Sequence, residues 1–201
     1  MGRKFVLASG SPRRRELLES IGAQFTICVA DVDESTVPET LEPSIYVQEL
    51  AVLKASTAAS SCEKHTLVIG ADTVVVSGGK ILGKPKDSED AENMLRSLSG
   101  KSHFVYTGIA VADTDSMRVE SRCEKTEVVF RDISDSEIKL YVKNCHPLDK
   151  AGAYGIQEFA AVFVKSVSGD YFNVVGLPLC RLYTLIKDEF GEELSKWQKR
   201  I

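Results

Sequence analysis

Near the start of the chain, Ser9-Gly10-Ser11-Pro12-Arg13-Arg14 sets small hydroxyls, a flexible turn and two guanidinium groups side by side. Guanidinium forks grip phosphate oxygens bidentately, and a turn that opens a helix leaves free backbone N–H groups at its positive end. The composition is that of a phosphate cradle, with Ser9, Ser11, Arg13 and Arg14 as its donors. Arginines in a first helical turn oppose the macrodipole, which favours an anion in front of them over a merely solvated basic turn.

A second candidate lies in Gly70-Ala71-Asp72-Thr73, where a carboxylate interrupts an apolar run flanked by Leu67-Val68-Ile69 and Val74-Val75-Val76. A carboxylate in apolar surroundings is costly unless paired, hydrogen-bonded or on a metal. Asp72 is therefore a candidate general base or metal ligand, the alternative being an Asp satisfied by the N–H groups of a turn. The stretch from Gly78 to Pro85 nearly matches the Walker A pattern, but a proline stands where the Mg²⁺-binding hydroxyl belongs. Gly78-Gly79 also has the look of a hairpin turn, so a P-loop is rejected. Lys84, between Gly83 and Pro85 at a strand end, remains a candidate phosphate partner.

The elements that must position these residues follow from periodicity. Phe5 to Ala8 is expected as a short buried strand, followed by a helix from Arg13 to Ile21 stopped by Gly22. Asp31 to Glu42 is acidic and is expected as a surface loop. Helices are expected over Ser44–Ala59, Asp87–Leu98 and, opened by the capping box Ser134 to Glu137, up to about Val142. Leu67 to Val76 is expected as a buried strand broken in its middle by Gly70, Asp72 and Thr73. Lys80-Ile81-Leu82 forms the return strand of a hairpin, and Phe104–Ala112 and Val119–Phe130 read as long antiparallel strands. A helix follows Pro178, then an amphipathic tail with Phe190, Leu194, Trp197 and Ile201. The tail is a candidate for internal packing or for pairing subunits in a homodimer.

Strands and helices interleave without repeat or linker, so the class is α/β with a mixed, partly antiparallel sheet flanked by helices, in a single domain spanning 1–201. With 25 Lys and Arg against 29 Asp and Glu, the net charge is −4, so no global basic field draws in nucleic acid or an anionic membrane. Any anion must be caught locally. No apolar stretch approaches a membrane span, and the N-terminus shows no signal core. Five scattered cysteines without a C-x-x-C pair suit reduced thiols, and the expected location is cytoplasmic.

In this order the motifs resemble the Maf family of nucleoside triphosphate pyrophosphatases. The carriers are Leu7 to Arg14, the Tyr46 to Ala55 helix ending in Leu53-Lys54-Ala55, Ile69 to Thr73, Gly83-Lys84-Pro85, Leu98-Ser99-Gly100, Tyr106-Thr107-Gly108, Asp149 to Gln157 and Asn173 to Pro178. The resemblance implies an elongated mixed sheet with two lobes around a cleft, like that of inosine triphosphate pyrophosphatases. It also implies hydrolysis of a triphosphate to the monophosphate and pyrophosphate with a divalent cation, Mg²⁺ or Mn²⁺. By similarity, Asp72 is the catalytic acid/base and lies at the metal with Glu34, while Arg13, Arg14, Lys54 and Lys84 hold phosphates. Arg13, Thr73 and Gln157 match the specificity positions of the subgroup acting on dTTP and UTP. The subgroup acting on 7-methyl-GTP differs there. A further reading keeps this chemistry but makes the substrate a modified pyrimidine nucleotide.

A glutamine amide can accept from uracil N3–H and donate to O4. It could flip to suit cytosine, so groups around Gly155 must help to decide. Glu158-Phe159-Ala160-Ala161 stands where relatives often carry glycines. A non-catalytic nucleotide-binding regulator of division or growth is the alternative of another class.

Overall fold

The computed structural model describes residues 2–194. Trp197 and Ile201 of the amphipathic tail lie outside them. Seven strands form a mixed sheet in the order β2-β1-β3-β5-β6-β7, with β4 paired to β3. They are β1 (Lys4–Leu7), β2 (Thr26–Ile27), β3 (Thr66–Ser77), β4 (Lys80–Leu82), β5 (Ser102–Asp113), β6 (Val119–Phe130) and β7 (Val164–Ser168). The helices are α1 (Pro12–Ser20), α2 (Pro43–Ala59), α3 (Ser88–Leu98), α4 (Asp135–Cys145), α5 (Tyr171–Val175) and α6 (Leu179–Phe190). The chain divides into two compact units. One holds the chain up to Asp72, Thr107–Glu124 and the chain from Gly176, and the other holds Thr73–Tyr106 and Lys125–Val175.

In the first unit β1 pairs in parallel with β2 and with β3, Leu7 facing Ile27 on one side and Ile69 on the other. Phe5, Val6 and Leu7 are all buried, the pattern of a strand covered on both faces. Helix α2 lies directly on the strand backbones. A Cβ on Gly70 would stand 2.3 Å from the Ala51 carbonyl oxygen, and one on Gly108 would stand 2.1 Å from that of Val47. Small residues make this approach possible: Ala51, Ala55, Ala58 and Ala59 of α2 share a core with Val6, Ala8, Val68, Ala110 and Ala112.

This contact corrects the expectation of a broken strand. β3 runs uninterrupted through Gly70, Asp72 and Thr73, because Gly70 is where the helix touches it and Asp72 finds a lysine partner. In α1, Pro12 stands in the first turn and Gly22 (φ 72°) follows the end, as expected. Helix α6 stops at Gly191, again left-handed at φ 67°.

In the second unit, β3 turns through Gly78 and Gly79, both at positive φ, into antiparallel β4. This turn leads into a strand and not into a helix, the wrong context for a P-loop. Asp87 caps α3, and the full Ser134–Glu137 capping box opens α4. α4 continues to Cys145, past the expected Val142, and ends on left-handed His146. Beside them, Tyr141, Phe130, Phe163 and Tyr154 form a largely aromatic core. All five cysteines are free thiols. Among the described residues, no helix is long and apolar enough to cross a membrane.

Candidate active site

Lys54, on the last turns of α2, projects between two carboxylates. Its Nζ lies 2.6 Å from Asp72 Oδ1 on β3 and 2.8 Å from Glu34 Oε1, which comes from a short 3-10 turn in the acidic loop. The Lys54 and Asp72 side chains are each only 14% exposed, whereas that of Glu34 is 49% exposed. Asp72 is thus an ion-paired carboxylate in a strand, not a residue satisfied by a turn. The Asp33 side chain caps the 3-10 turn by accepting from Ser35 N, which helps to fix Glu34.

Ser9, in the turn after β1, is buried, and its Oγ accepts from the Ser11 N–H and from Arg14 Nη1 at 3.1 Å. Arg14 Nε also donates to the Gly176 carbonyl at 2.8 Å. Burial lowers the Arg14 pKa, while Asp72 and Glu34 raise it and Arg13 lowers it further. Both arginines and both carboxylates therefore share one electrostatic environment. Ser11 caps α1 in extended backbone geometry but makes no side-chain cap bond, so its hydroxyl is not committed to the helix end.

Thr73, Lys84 and Gln157 belong to the second unit. Thr73 follows Asp72 on β3 and is half-buried, while Lys84 and Gln157 are exposed. The segments bearing the last two are joined, because Gly152 N donates to the Gly83 carbonyl at 3.0 Å.

Two further groups stand at the site, each lying in a sequence motif that assigned it no role. Tyr46 is buried, and its phenol pKa is raised by burial and by the negative charges of Glu39, Asp72 and Glu34. It opens the Tyr46 to Ala55 stretch of α2 that carries the resemblance, and its spacing of eight from Lys54 places both on one helix face. The Gly176 carbonyl that orients Arg14 leaves no mark in residue chemistry. Among the described residues, no group of three or more His, Cys, Asp or Glu side chains could hold a metal ion. Glu34 and Asp72, however, already converge on one cation, and Mg²⁺ is usually held by one or two carboxylates with the rest of its shell from phosphate and water. The donor set fits such an ion.

The fold and this cluster define an α/β protein carrying a charge constellation suited to a phosphate ester. Its sequence matches the Maf-like protein profile over residues 4–189, and the chain belongs to that family. It is 50% identical over 185 residues to a dTTP/UTP pyrophosphatase of Clostridium novyi, covering 92% of this chain and 97% of that one. It is 48% identical over 197 residues to a protein of the same name from Caldanaerobacter subterraneus, covering 98% and 93%. Among solved structures, the Ham1 protein of Staphylococcus aureus is similar at 18% identity and a TM-score of 0.45, over 65% of this chain and 73% of that one.

Proposed function

We propose that this chain hydrolyses nucleoside triphosphates, dTTP and UTP foremost, to the monophosphate and pyrophosphate. The observation that carries this reading is the convergence of Glu34 and Asp72 on Lys54 beside Arg13 and Arg14, in a chain about half identical to relatives named for that reaction. In this reading Asp72 Oδ accepts the proton of the attacking water, and Lys54, which pairs with that carboxylate in the structure, is one of the phosphate-binding cations. Arg13, Arg14, Ser9, Ser11 and Lys84 bind phosphate oxygens and stabilise charge moving onto the leaving pyrophosphate. Gln157 reads the imide edge of the pyrimidine, with Thr73 and Arg13 completing the specificity set. Glu34 and Asp72 would hold a divalent cation, Mg²⁺ or Mn²⁺, which when bound supplies positive charge to the phosphates.

The test is product analysis with UTP, dTTP, CTP and 7-methyl-GTP in Mg²⁺ or Mn²⁺. UTP is expected to give UMP and pyrophosphate, with Asp72→Asn slower by roughly 10²–10⁴-fold. UTP binding without UMP on prolonged incubation means a regulator, and preference for 7-methyl-GTP moves the chain to the other subgroup. Either result removes the proposal.

A further inference from the structure

The segment from Lys150 to Glu158 delivers Gln157 to the surface, yet the five residues before it, Gly152 to Ile156, are buried. Its backbone is held in an unfavourable shape. Gly152 and Ala153 have φ of 67° and 62°, and left-handed geometry is strained for an alanine. Such strain persists only when the surroundings impose it.

Three contacts impose it here. Gly152 sits against Val75 of β3, where a Cβ would come within 2.9 Å, and its N–H bonds to Gly83. Lys150 is buried and pairs with Glu158 at 3.3 Å and Asp149 at 2.7 Å, its stem passing 3.0 Å from where a Gly155 Cβ would be. Tyr154, only 6% exposed, drives its ring edge-on into Phe130 with centroids 4.8 Å apart, and its hydroxyl lies 2.9 Å from His103 Nε2.

The last contact is chemically unexpected. His103 is 1% exposed, and its ring packs edge-on against Phe130. Its Nδ1 is buried with no partner among the described residues. A phenylalanine pair would fill this volume without a polar atom to satisfy. What the His103–Tyr154 bond adds is direction, because a hydrogen bond fixes the rotation and depth of the ring where packing alone does not.

We propose that Tyr154, held by His103, is a positioning residue for base selection: it fixes the Gly155 backbone and the point from which the Gln157 side chain reaches the pyrimidine. The inference rests on the reading of Gln157 as the base-recognising residue. It explains how the backbone groups around Gly155, which must help to choose between uracil and cytosine, are held in one place beside Gln157. A backbone fixed at Tyr154, three residues before Gln157, and by the Glu158 N–H bond to the Gly155 carbonyl at 3.1 Å sets where the Gln157 side chain starts and which way its Cα–Cβ bond points.

The test measures kcat and KM for UTP and CTP in Tyr154→Phe, Gln157→Ala and the double variant Tyr154→Phe/His103→Phe. The double variant replaces both polar partners by apolar rings and so keeps the core filled, which secures a folded protein if either single change does not. In both Tyr154 variants the UTP:CTP ratio of kcat/KM is expected to fall by roughly tenfold, the scale of one lost hydrogen bond, chiefly through KM for UTP. His103→Gln, which still offers the Tyr154 hydroxyl a partner, is expected to retain most of the ratio. A purely structural role would lower the active fraction and leave the ratio at the wild-type value. That outcome in both Tyr154 variants, with Gln157→Ala changing the ratio, overturns the positioning role alone. A ratio unchanged in Gln157→Ala overturns the base-reading assignment and this inference with it.

Discussion

Replacing Gly70 by alanine asks whether the contact of α2 with β3 sets the distance between Lys54 and Asp72. The new Cβ would lie 2.3 Å from the Ala51 carbonyl oxygen, 2.8 Å from the Ala55 nitrogen and 3.0 Å from the Ala55 Cβ. Ordinary contact begins near 3.4 Å, so helix and strand must part by roughly 1 Å. Because the two nearest atoms are backbone, trimming Ala51 or Ala55 to glycine does not relieve the clash. Overpacking of this kind costs on the order of 1–3 kcal/mol, and at this chain length each kcal/mol lowers Tm by roughly 2–4 °C. The same displacement moves Lys54, which lies between the two alanines that meet Gly70, off a 2.6 Å ion pair. A misplacement of about 1 Å in a reacting constellation costs on the order of 10²-fold in turnover. Thermal denaturation and pyrophosphate release from UTP measure the two effects on one sample. A Gly70→Ala protein with wild-type Tm and turnover would refute the reasoning.

The second unit gives two further expectations. Ser134→Ala removes the hydroxyl's bonds with Glu137 N and Oε2 at the start of α4, leaving the backbone half of the capping box, and should cost about 1 kcal/mol, seen as a Tm lower by a few degrees with KM for UTP unchanged. Burial depresses the His103 pKa from 6.5 to about 4, so the unfolded chain binds the additional proton between those values. Its contribution to stability is therefore complete above pH 6.5 and is lost as pH falls through 4, a change of ~3 kcal/mol. Urea denaturation across that range should show a correspondingly shallower pH slope in the Tyr154→Phe/His103→Phe variant than in the wild type.

Elements with local signals were legible in the sequence. α3 and α4 announce themselves by a capping Asp or Ser before an apolar stripe, and the β3–β4 hairpin by two glycines, because these devices act within a few residues. β2 and α5 were missed. β2 has two residues and exists because Thr26 and Ile27 pair with Val6 and Leu7, a condition no window along the chain contains. Gly70 was mistaken for a break for the same reason, its partner being a helix backbone some twenty residues earlier. At the site, Arg13, Arg14 and Asp72 stand out by type, since each is costly where it lies unless something charged faces it. Lys54 and Glu34 look like ordinary surface residues and entered only through family resemblance. Their convergence depends on α2 crossing β3 at Gly70.

The geometry also sharpens what the net charge of −4 left open. Lys54 is not an unengaged phosphate binder, because its ammonium already sits between Glu34 and Asp72. Taken with Arg13 and Arg14, which share that environment, three cations face two carboxylates, and the cluster carries a net charge of only +1. That is too little to balance a polyphosphate chain. Moving Lys54 onto the substrate would leave Asp72 and Glu34 unbalanced at the point where negative charge accumulates, which is costly in a site as enclosed as that of Asp72. The two carboxylates and the substrate thus call for additional positive charge. In the proposed function, a divalent cation bound by Glu34 and Asp72 would release Lys54 toward phosphate, and metal and phosphate binding would then be interdependent.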